Sequence, residues 1–334
     1  MLENTGIILV LAYPETIVMV AEEWYSPFLK YLGIGKKDYL RAGHAASVLI
    51  DKEKGDLEYH DFGRYITSEP NGRVRGVRFD RELKFPLKAT ILNDEVKNLD
   101  DILYFLSTNP KITHGEGKLV ASVCDKINYK KAKTHINEMQ NMGLIRYAAF
   151  AKNASNCARF VTSTLIASVT DNKIKKQLIK SQLFTPSTVG NVVISDTCSK
   201  IYEVSETGEI KKFTSSVSKE NIRCFLDKLP GHEPNFVGTL HPKPVSQIHA
   251  NAQWLGGIAA GAWFELTCEV DLLENEFRFR RISPHGNVDV DAVFVCKEEL
   301  ILHHGFEIQH YSNCLFCTVK QGERMFKLYY LRDF

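Results

Sequence analysis

Cys157 is the residue whose type and position most favour covalent chemistry. Apolar residues recur at helical spacing from Ala158 to Leu165, which predicts a helix that begins at about residue 156. Ser155 or Asn156 can cap this helix, because a short polar side chain accepts hydrogen bonds from the free amides of the first turn. Cys157 would then lie where the helix dipole favours the thiolate, the reactive form of cysteine. The alternative is a buried structural cysteine.

His44, His60 and Asp61 form a second group with suitable chemistry. They lie on two strand-like runs that flank the glycine-containing turn 52–55, which predicts a β-hairpin. The hairpin brings residues 60 to 63 opposite His44, close enough for a carboxylate or an imidazole to contact its ring. Because neighbouring strand residues face opposite sides, only one of His60 and Asp61 can do so. The register that decides between them is not set by the sequence.

The elements that must hold these residues indicate an α+β protein of two domains. Short strands and helices mix in residues 1–187, and the Pro- and Gly-containing stretch 184–191 marks a boundary. Residues 188–334 are predicted to form a mainly antiparallel β domain of unknown role, with one helix near 218–229. Its strands are predicted at 191–195, 200–204, 262–271, 276–282, 288–295, 299–303, 306–310, 314–320 and 325–331.

Three further features have less specific chemistry. In residues 72–79 Val alternates with Arg or Gly, as in a half-buried strand. Arg73, Arg75 and Arg78 could line an anion-accepting surface there, but we expect them to be solvated strand charges. Tyr13 ends the first apolar run, where a core tyrosine is expected, although its hydroxyl is a candidate oxyanion donor. His114 lies with Glu116 in a Gly-flanked loop that could approach the site, although a loop histidine is expected to be solvated.

The composition is that of an ordinary soluble globular protein, with 44% apolar and 25% charged residues. A net charge of +2 gives no field for nucleic acid, and no apolar run is long enough for a membrane span. No secretory signal is visible, so we expect a cytoplasmic protein with eight reduced cysteines. Cys314 and Cys317 have metal spacing but lack a second pair, so neither a metal nor a cofactor is expected.

Two motifs resemble those of a known group of enzymes. Asn156-Cys-Ala-Arg-Phe-Val161 resembles the Asn-Cys-x-x-Phe-Val signature of circularly permuted papain-like enzymes. These belong to the NlpC superfamily and include the lecithin:retinol acyltransferase type and the bacterial YiiX-like branch. Gly43 to Ile50 resembles the strand that carries their histidine, which also precedes the cysteine in the chain. The resemblance covers about residues 5–170 and implies a permuted papain-like N-terminal domain.

The resemblance implies a role for each residue. Cys157 would be the nucleophile, His44 the base, and Asp61 the group that orients His44, with His60 as the alternative. Amides at the start of the Cys157 helix would stabilise an oxyanion. The implied activity is that of a thiol hydrolase or acyltransferase that cleaves an amide or ester bond through a thioester. Its substrate would be a peptide, a cell-wall-derived peptide or a lipid acyl group.

Two other hypotheses differ in class. The long strand-rich half without catalytic motifs is typical of a non-catalytic binding or scaffolding protein built on a papain-like fold. A zinc site formed by His44, His60 and Cys157 is the third hypothesis, because histidine and cysteine are zinc ligands. The sequence carries no signal for an oligomeric state.

Overall fold

The computed structural model describes residues 3–21, 23–233, 245–246 and 248–334. The strands are β1 Gly6–Tyr13, β2 Ile17–Met19, β3 Tyr39–Arg41, β4 His44–Asp51, β5 Leu57–Gly63, β6 Asn71–Arg75, β7 Ile91–Leu92, β8 Glu95–Val96, β9 Leu119–Ile127, β10 Ile145–Arg146, β11 Tyr202–Val204, β12 Ile210–Lys212, β13 Gln253–Leu255, β14 Ala262–Thr267, β15 Glu276–Ile282, β16 Val288–Cys296, β17 Glu307–Ile308, β18 Phe316–Gln321 and β19 Arg324–Asp333. The helices are α1 Ser26–Tyr31, α2 Leu99–Thr108, α3 Pro110–Thr113, α4 Tyr129–Asn141, α5 Cys157–Ser168, α6 Asn172–Ser181, α7 Thr188–Ser195 and α8 Val217–Phe225. Within the described ranges, none of these helices combines the length and the apolar character needed to cross a membrane.

The first sheet has eight strands in the order β10-β6-β5-β4-β1-β9-β11-β12, and all its pairings are antiparallel. β1 is buried along its whole length, because apolar clusters cover both faces of the sheet. Ile8 and Val10 pack on the side of α4 and α5, whereas Ile7 and Leu9 pack on the side of α2. Because both faces of this strand are buried, its sequence is a continuous apolar run.

The second sheet has seven antiparallel strands in the order β13-β14-β15-β16-β19-β18-β17. Phe264, Phe279 and Phe294 are fully buried on its inner face, with 4.4 Å between the ring centroids of Phe279 and Phe294. The predicted α+β class, with a mainly antiparallel second half, is therefore confirmed.

Two predicted strands of the second half are wrong. Residues 191–195 belong to α7, which Ser187 caps by accepting from the Gly190 amide and which buries Val189 and Val192 at helical spacing. Residues 299–303 contain no strand, and a single 3-10 turn covers Leu302–His304. A short apolar run is compatible with a strand or a helix, and the cap together with the available packing surface decides between them.

The first sheet continues beyond the predicted boundary between residues 187 and 188. α7 packs against β1 and β9, and β11 and β12 extend this sheet. The second sheet begins only at Gln253. We therefore propose that the division between the domains follows β12, later than the sequence predicted.

Candidate active site

Cys157 is the first residue of α5. Asn156 caps the helix, because its side-chain oxygen accepts from the Arg159 amide at 2.9 Å while its own backbone is extended. The Ser155 hydroxyl instead donates to the Asn156 carbonyl. Cys157 is 7% exposed, so its thiol lies beneath the surface but not in a sealed core. The predicted helix is present, and Asn156 is the cap of the two considered.

His44 is the first residue of β4 and lies beside the Cys157 thiol. Gly43 precedes it with φ +74, and a Cβ there would lie 3.1 Å from both the Pro14 Cα and the Tyr13 carbonyl oxygen. The tight approach requires glycine and sets the direction in which β4 starts. The buried ring has two side-chain hydrogen-bond partners, the Asp61 carboxylate and the Cys157 thiol. The helix tip and the distant hairpin therefore meet in one site.

Asp61, and not His60, faces His44. The hairpin pairs Ala46 with Asp61, which puts Asp61 on the face that carries His44, and its Oδ2 lies 3.0 Å from His44 Nε2. His60 points to the other face, where Nδ1 lies 3.3 Å from the Arg75 carbonyl oxygen and Nε2 lies 3.5 Å from Glu58. The register thus places Asp61, and not His60, beside His44, while the catalytic roles of Cys157, His44 and Asp61 stay predictions.

Asp61 has more partners than the sequence suggested. Arg75 donates to both of its oxygens, at 2.9 and 2.6 Å, and the hydroxyls of Tyr59 and Tyr65 donate at 3.1 and 3.2 Å. Arg75 is 2% exposed, so its expected solvation is wrong. The cause is its register opposite Asp61 on neighbouring strands. Arg73 is paired with the buried Asp80. Of the three arginines, Arg78 is the one that is exposed.

The charges of the site support one another. Burial alone would raise the pKa of Asp61, but Arg75 and His44 hold it well below its usual range. Burial lowers the pKa of His44, yet hydrogen bonds to Asp61 and Cys157 outweigh this effect and raise it to about 9. Two cationic side chains therefore share one carboxylate next to a helix N-terminus, an electropositive setting of the kind in which reactive cysteines occur.

Tyr147 is a site residue that sequence reasoning missed. Its side chain is a hydrogen-bond partner of the Cys157 thiol, and the Arg64 guanidinium lies 4.6 Å from its ring centroid. Tyr147 is held there by a parallel bridge to Ser155, with a 3.0 Å bond from the Ala148 amide to the Ser155 carbonyl. The only signal for it in the sequence is that segment 143–150 comes shortly before the Cys157 helix.

Of the two other candidates, Tyr13 lies where it was expected and His114 does not. The Tyr13 hydroxyl donates to the Leu106 carbonyl at 3.0 Å, which makes Tyr13 the expected core tyrosine and directs its hydroxyl away from Cys157. His114 was expected in solvent, but its ring lies 4.8 Å from that of Tyr65, and the residue lines a cavity together with His44 and Cys157. Burial lowers its pKa well below the usual value.

A cavity of about 480 Å³ is lined by His44 and Cys157 and by residues of both sheets. Its wall from the second sheet includes residues 258–262, Ser283, His285, Asn287 and Asp289. This wall is held by bonds from the Ile66 amide to the Ala260 carbonyl at 2.8 Å and from the Ala259 amide to the Arg64 carbonyl at 3.0 Å. The strand-rich half therefore forms part of the cleft.

The residues suggested as metal ligands do not converge. His60 lies on the opposite face of the sheet from His44, with its ring nitrogens beside the Arg75 carbonyl oxygen and Glu58, and no group of three or more His, Cys, Asp or Glu side chains in the described ranges could hold a metal ion. Cys314 and Cys317 are fully buried, and burial raises the pKa of their thiols to about 11 and about 12. Burial therefore favours the protonated form of both thiols.

Comparisons with known proteins give two family matches. A model described as type VI secretion system effector TseH-like matches residues 8–174, half of the chain. A model described as the DUF6695 C-terminal domain matches residues 252–331, nearly all of the second sheet. Among solved structures, that of the type VI secretion system effector TseH is similar with 16% identity and a TM-score of 0.39, over 63% of this chain and 99% of that one. No curated protein matches the chain.

Proposed function

The chain belongs to the type VI secretion system effector TseH-like family, and on this premise we propose that it is an effector that acts as a thiol hydrolase or acyltransferase. The observation that carries the proposal is the contiguous set of Cys157, His44 and Asp61 in one cleft. A nucleophile, a base that contacts it and a third group that orients the base are the parts that covalent catalysis requires.

In the proposed first step, the Cys157 thiolate attacks the carbonyl carbon of an ester or amide, and a carbon–sulfur bond forms. The His44 imidazolium gives its proton to the leaving oxygen or nitrogen as the bond between that atom and the carbonyl carbon breaks. Water then attacks the thioester and gives a proton to neutral His44, and Cys157 leaves as a thiolate. An acyltransferase would differ only in using another hydroxyl or amine in place of water.

Asp61 is proposed to keep His44 in one orientation and to stabilise its charged form. Its negative charge is shared with Arg75, which limits how strongly it can act on His44 alone. The two tyrosine hydroxyls that donate to Asp61 hold the carboxylate in place, so that His44 has little rotational freedom. The pKa of about 9 keeps His44 charged at neutral pH, as a thiolate–imidazolium pair requires.

The oxyanion is proposed to bind at the start of α5. The Asn156 side chain accepts from the Arg159 amide, and the Asn156 carbonyl accepts from the Phe160 amide. The amides of Cys157 and Ala158 are therefore the donors left at the start of the helix. The Tyr147 hydroxyl, next to the Cys157 thiol, would be the additional donor. Tyr147 replaces Tyr13 as the tyrosine candidate because the Tyr13 hydroxyl is bonded elsewhere.

The permuted papain-like identity of the first domain is part of this proposal, supported by the order of His44 and Cys157 in the chain and by their meeting in the cleft. Cytoplasmic location stays a prediction from the sequence. Membership in a family of secretion-system effectors points the other way, because it favours a protein that is secreted from the cell that makes it. A scaffolding protein remains the competing hypothesis that the following experiment addresses.

The test is the rate at which iodoacetamide alkylates each cysteine near neutral pH, measured by mass spectrometry of peptides. Cys198 and Cys268 are the matched controls, because they are exposed, whereas Cys157 is almost buried. We expect Cys157 to react much faster than both, and His44→Ala to remove this advantage. Labelling in order of exposure, with Cys157 slower than Cys198 and Cys268, would contradict a catalytic thiol.

A further inference from the structure

Cys157 lies at the junction of two cavities. The first is the 480 Å³ cleft with His44, and the second has a volume of about 410 Å³. Cys157 and Tyr147 line both, as do Val18 and Met19 of β2, which separates the two spaces. A substrate bound at the thiol therefore has two directions in which its parts can extend.

The second cavity, called here the apolar cavity, is mostly hydrocarbon. Its apolar wall includes Val20, Trp24, Leu29, Leu40, Phe150 and Phe225. The carboxylate of Glu23 also borders it but is occupied, because it accepts from the Ala149 and Phe150 amides at 2.6 and 2.8 Å. The side chains of Asn156 and Ser187 are occupied as helix caps. Thr185, Thr188 and Asn221 are further polar residues of the lining, so a ligand here finds a mainly hydrophobic surface with polar groups in the minority.

The apolar cavity is bordered by exposed aromatic side chains. Trp24 is 73% exposed, Phe150 46% and Phe225 41%, and all three line the cavity. The ring centroids of Trp24 and Phe150 are 6.3 Å apart. Clustered exposed apolar groups at the edge of a cavity are typical of ligand-binding grooves, so an apolar ligand has a surface by which to approach.

We propose that the apolar cavity binds the aliphatic chain of an acyl ester whose carbonyl carbon is attacked by Cys157. This rests on the proposed function and names its substrate class. The alcohol part of the ester lies in the first cavity, beside His44. On attack the carbon–sulfur bond forms, the carbon–oxygen bond breaks, and the alcohol leaves with the His44 proton. Water then releases the fatty acid from the thioester.

The apolar wall disfavours a peptide on this side of the thiol. Each peptide unit brings an N–H and a carbonyl, and a buried polar group without a partner is destabilising. An aliphatic chain has no such groups and gains from each methylene removed from water. A volume of about 410 Å³ lies within the usual range of small-ligand pockets, about 300–1,000 Å³.

The test measures kcat/KM of the full-length protein for p-nitrophenyl acetate, butyrate, octanoate and dodecanoate, below the concentrations at which these esters form micelles. We expect kcat/KM to rise by up to about fourfold for each added methylene until the cavity is full. The intact mass of the protein with the octanoyl ester should show one acyl group, mapped to Cys157.

Two variants separate the cavities. Ala42 lines the apolar cavity and Ala259 lines the first one. Ala42→Phe should move the preferred ester to a shorter chain, whereas Ala259→Phe should change the rates of all four esters by a similar factor. If Ala42→Phe does not fold, Leu29→Ala enlarges the same cavity and should move the preference to longer chains.

The outcomes distinguish this inference from the proposed function. Fast labelling of Cys157 with equal rates for all esters, or with no ester cleaved, would overturn the acyl assignment and leave the reactive thiol intact. Slow labelling with no ester cleaved would overturn both. A chain-length preference that Ala259→Phe alters and Ala42→Phe does not would put the acyl chain in the first cavity and contradict the proposal.

Discussion

His44 Nε2 lies 3.0 Å from Asp61 Oδ2, although the two residues are not directly paired across their hairpin. Asp61 pairs with Ala46, two residues beyond His44 on the same face of β4. The contact is therefore diagonal, and it depends on the orientation of the Asp61 carboxylate. Arg75, Tyr59 and Tyr65 hold that orientation from three other directions.

Asp61→Asn should lower the pKa of His44 from its value of about 9, because the carboxylate is one of the groups that raise it. The measurement is the NMR titration of the His44 ring. Glu58→Gln is the matched control, since Glu58 lies beside His60 on the opposite face. A His44 pKa that is unchanged in Asp61→Asn, or that falls equally in Glu58→Gln, would contradict the assigned pairing.

Arg75→Met should destabilise the fold by about 3–5 kcal/mol, because the buried Asp61 carboxylate loses the partner that donates to both of its oxygens and keeps only His44 as a cation. Arg78→Met, on the same segment but exposed, should change the free energy of unfolding by less than about 0.5 kcal/mol. Urea unfolding followed by circular dichroism compares the two. Similar small effects would mean that Arg75 is solvated in solution.

The contribution of His44 to stability should fall as pH rises between about 6.5 and about 9, because His44 binds a proton in the folded protein that it has lost in the unfolded chain. The contribution is fully present below the unfolded pKa and is lost as pH passes the folded one. It amounts to about 3 kcal/mol at most. His44→Gln should show a flatter stability profile over this range, measured as urea midpoints at several pH values. Parallel profiles would exclude a raised His44 pKa.

Tyr147→Phe should lower kcat for the preferred p-nitrophenyl ester by about 100-fold if its hydroxyl binds the oxyanion. Alkylation of Cys157 by iodoacetamide, which forms no oxyanion, should be far less affected. Tyr13→Phe is the control, because its hydroxyl bonds the Leu106 carbonyl and its loss should cost about 1 kcal/mol of stability. Equal loss of kcat in both variants would point to a structural effect.

The local elements of the site could be predicted from the sequence. The helix of Cys157, its cap at Asn156 and the hairpin that carries His44 and Asp61 depend on spacing, turn residues and capping chemistry within short stretches. The same locality explains the errors: residues 191–195 have an apolar pattern that suits a strand or a helix, and packing against β1 and β9 gave a helix.

The tertiary structure alone decided which groups meet. Strand register turned Asp61 toward His44 and His60 away from it, and one residue of slip would have reversed that choice. Arg75 is buried because β6 pairs with β5 and places Arg75 opposite Asp61. Tyr147 contacts Cys157 because a bridge to Ser155 holds it there. The sequence by itself determined the reactive groups and the elements that carry them, because those follow from local periodicity. Their partners and the two cavities arise from long-range packing, which no local pattern encodes.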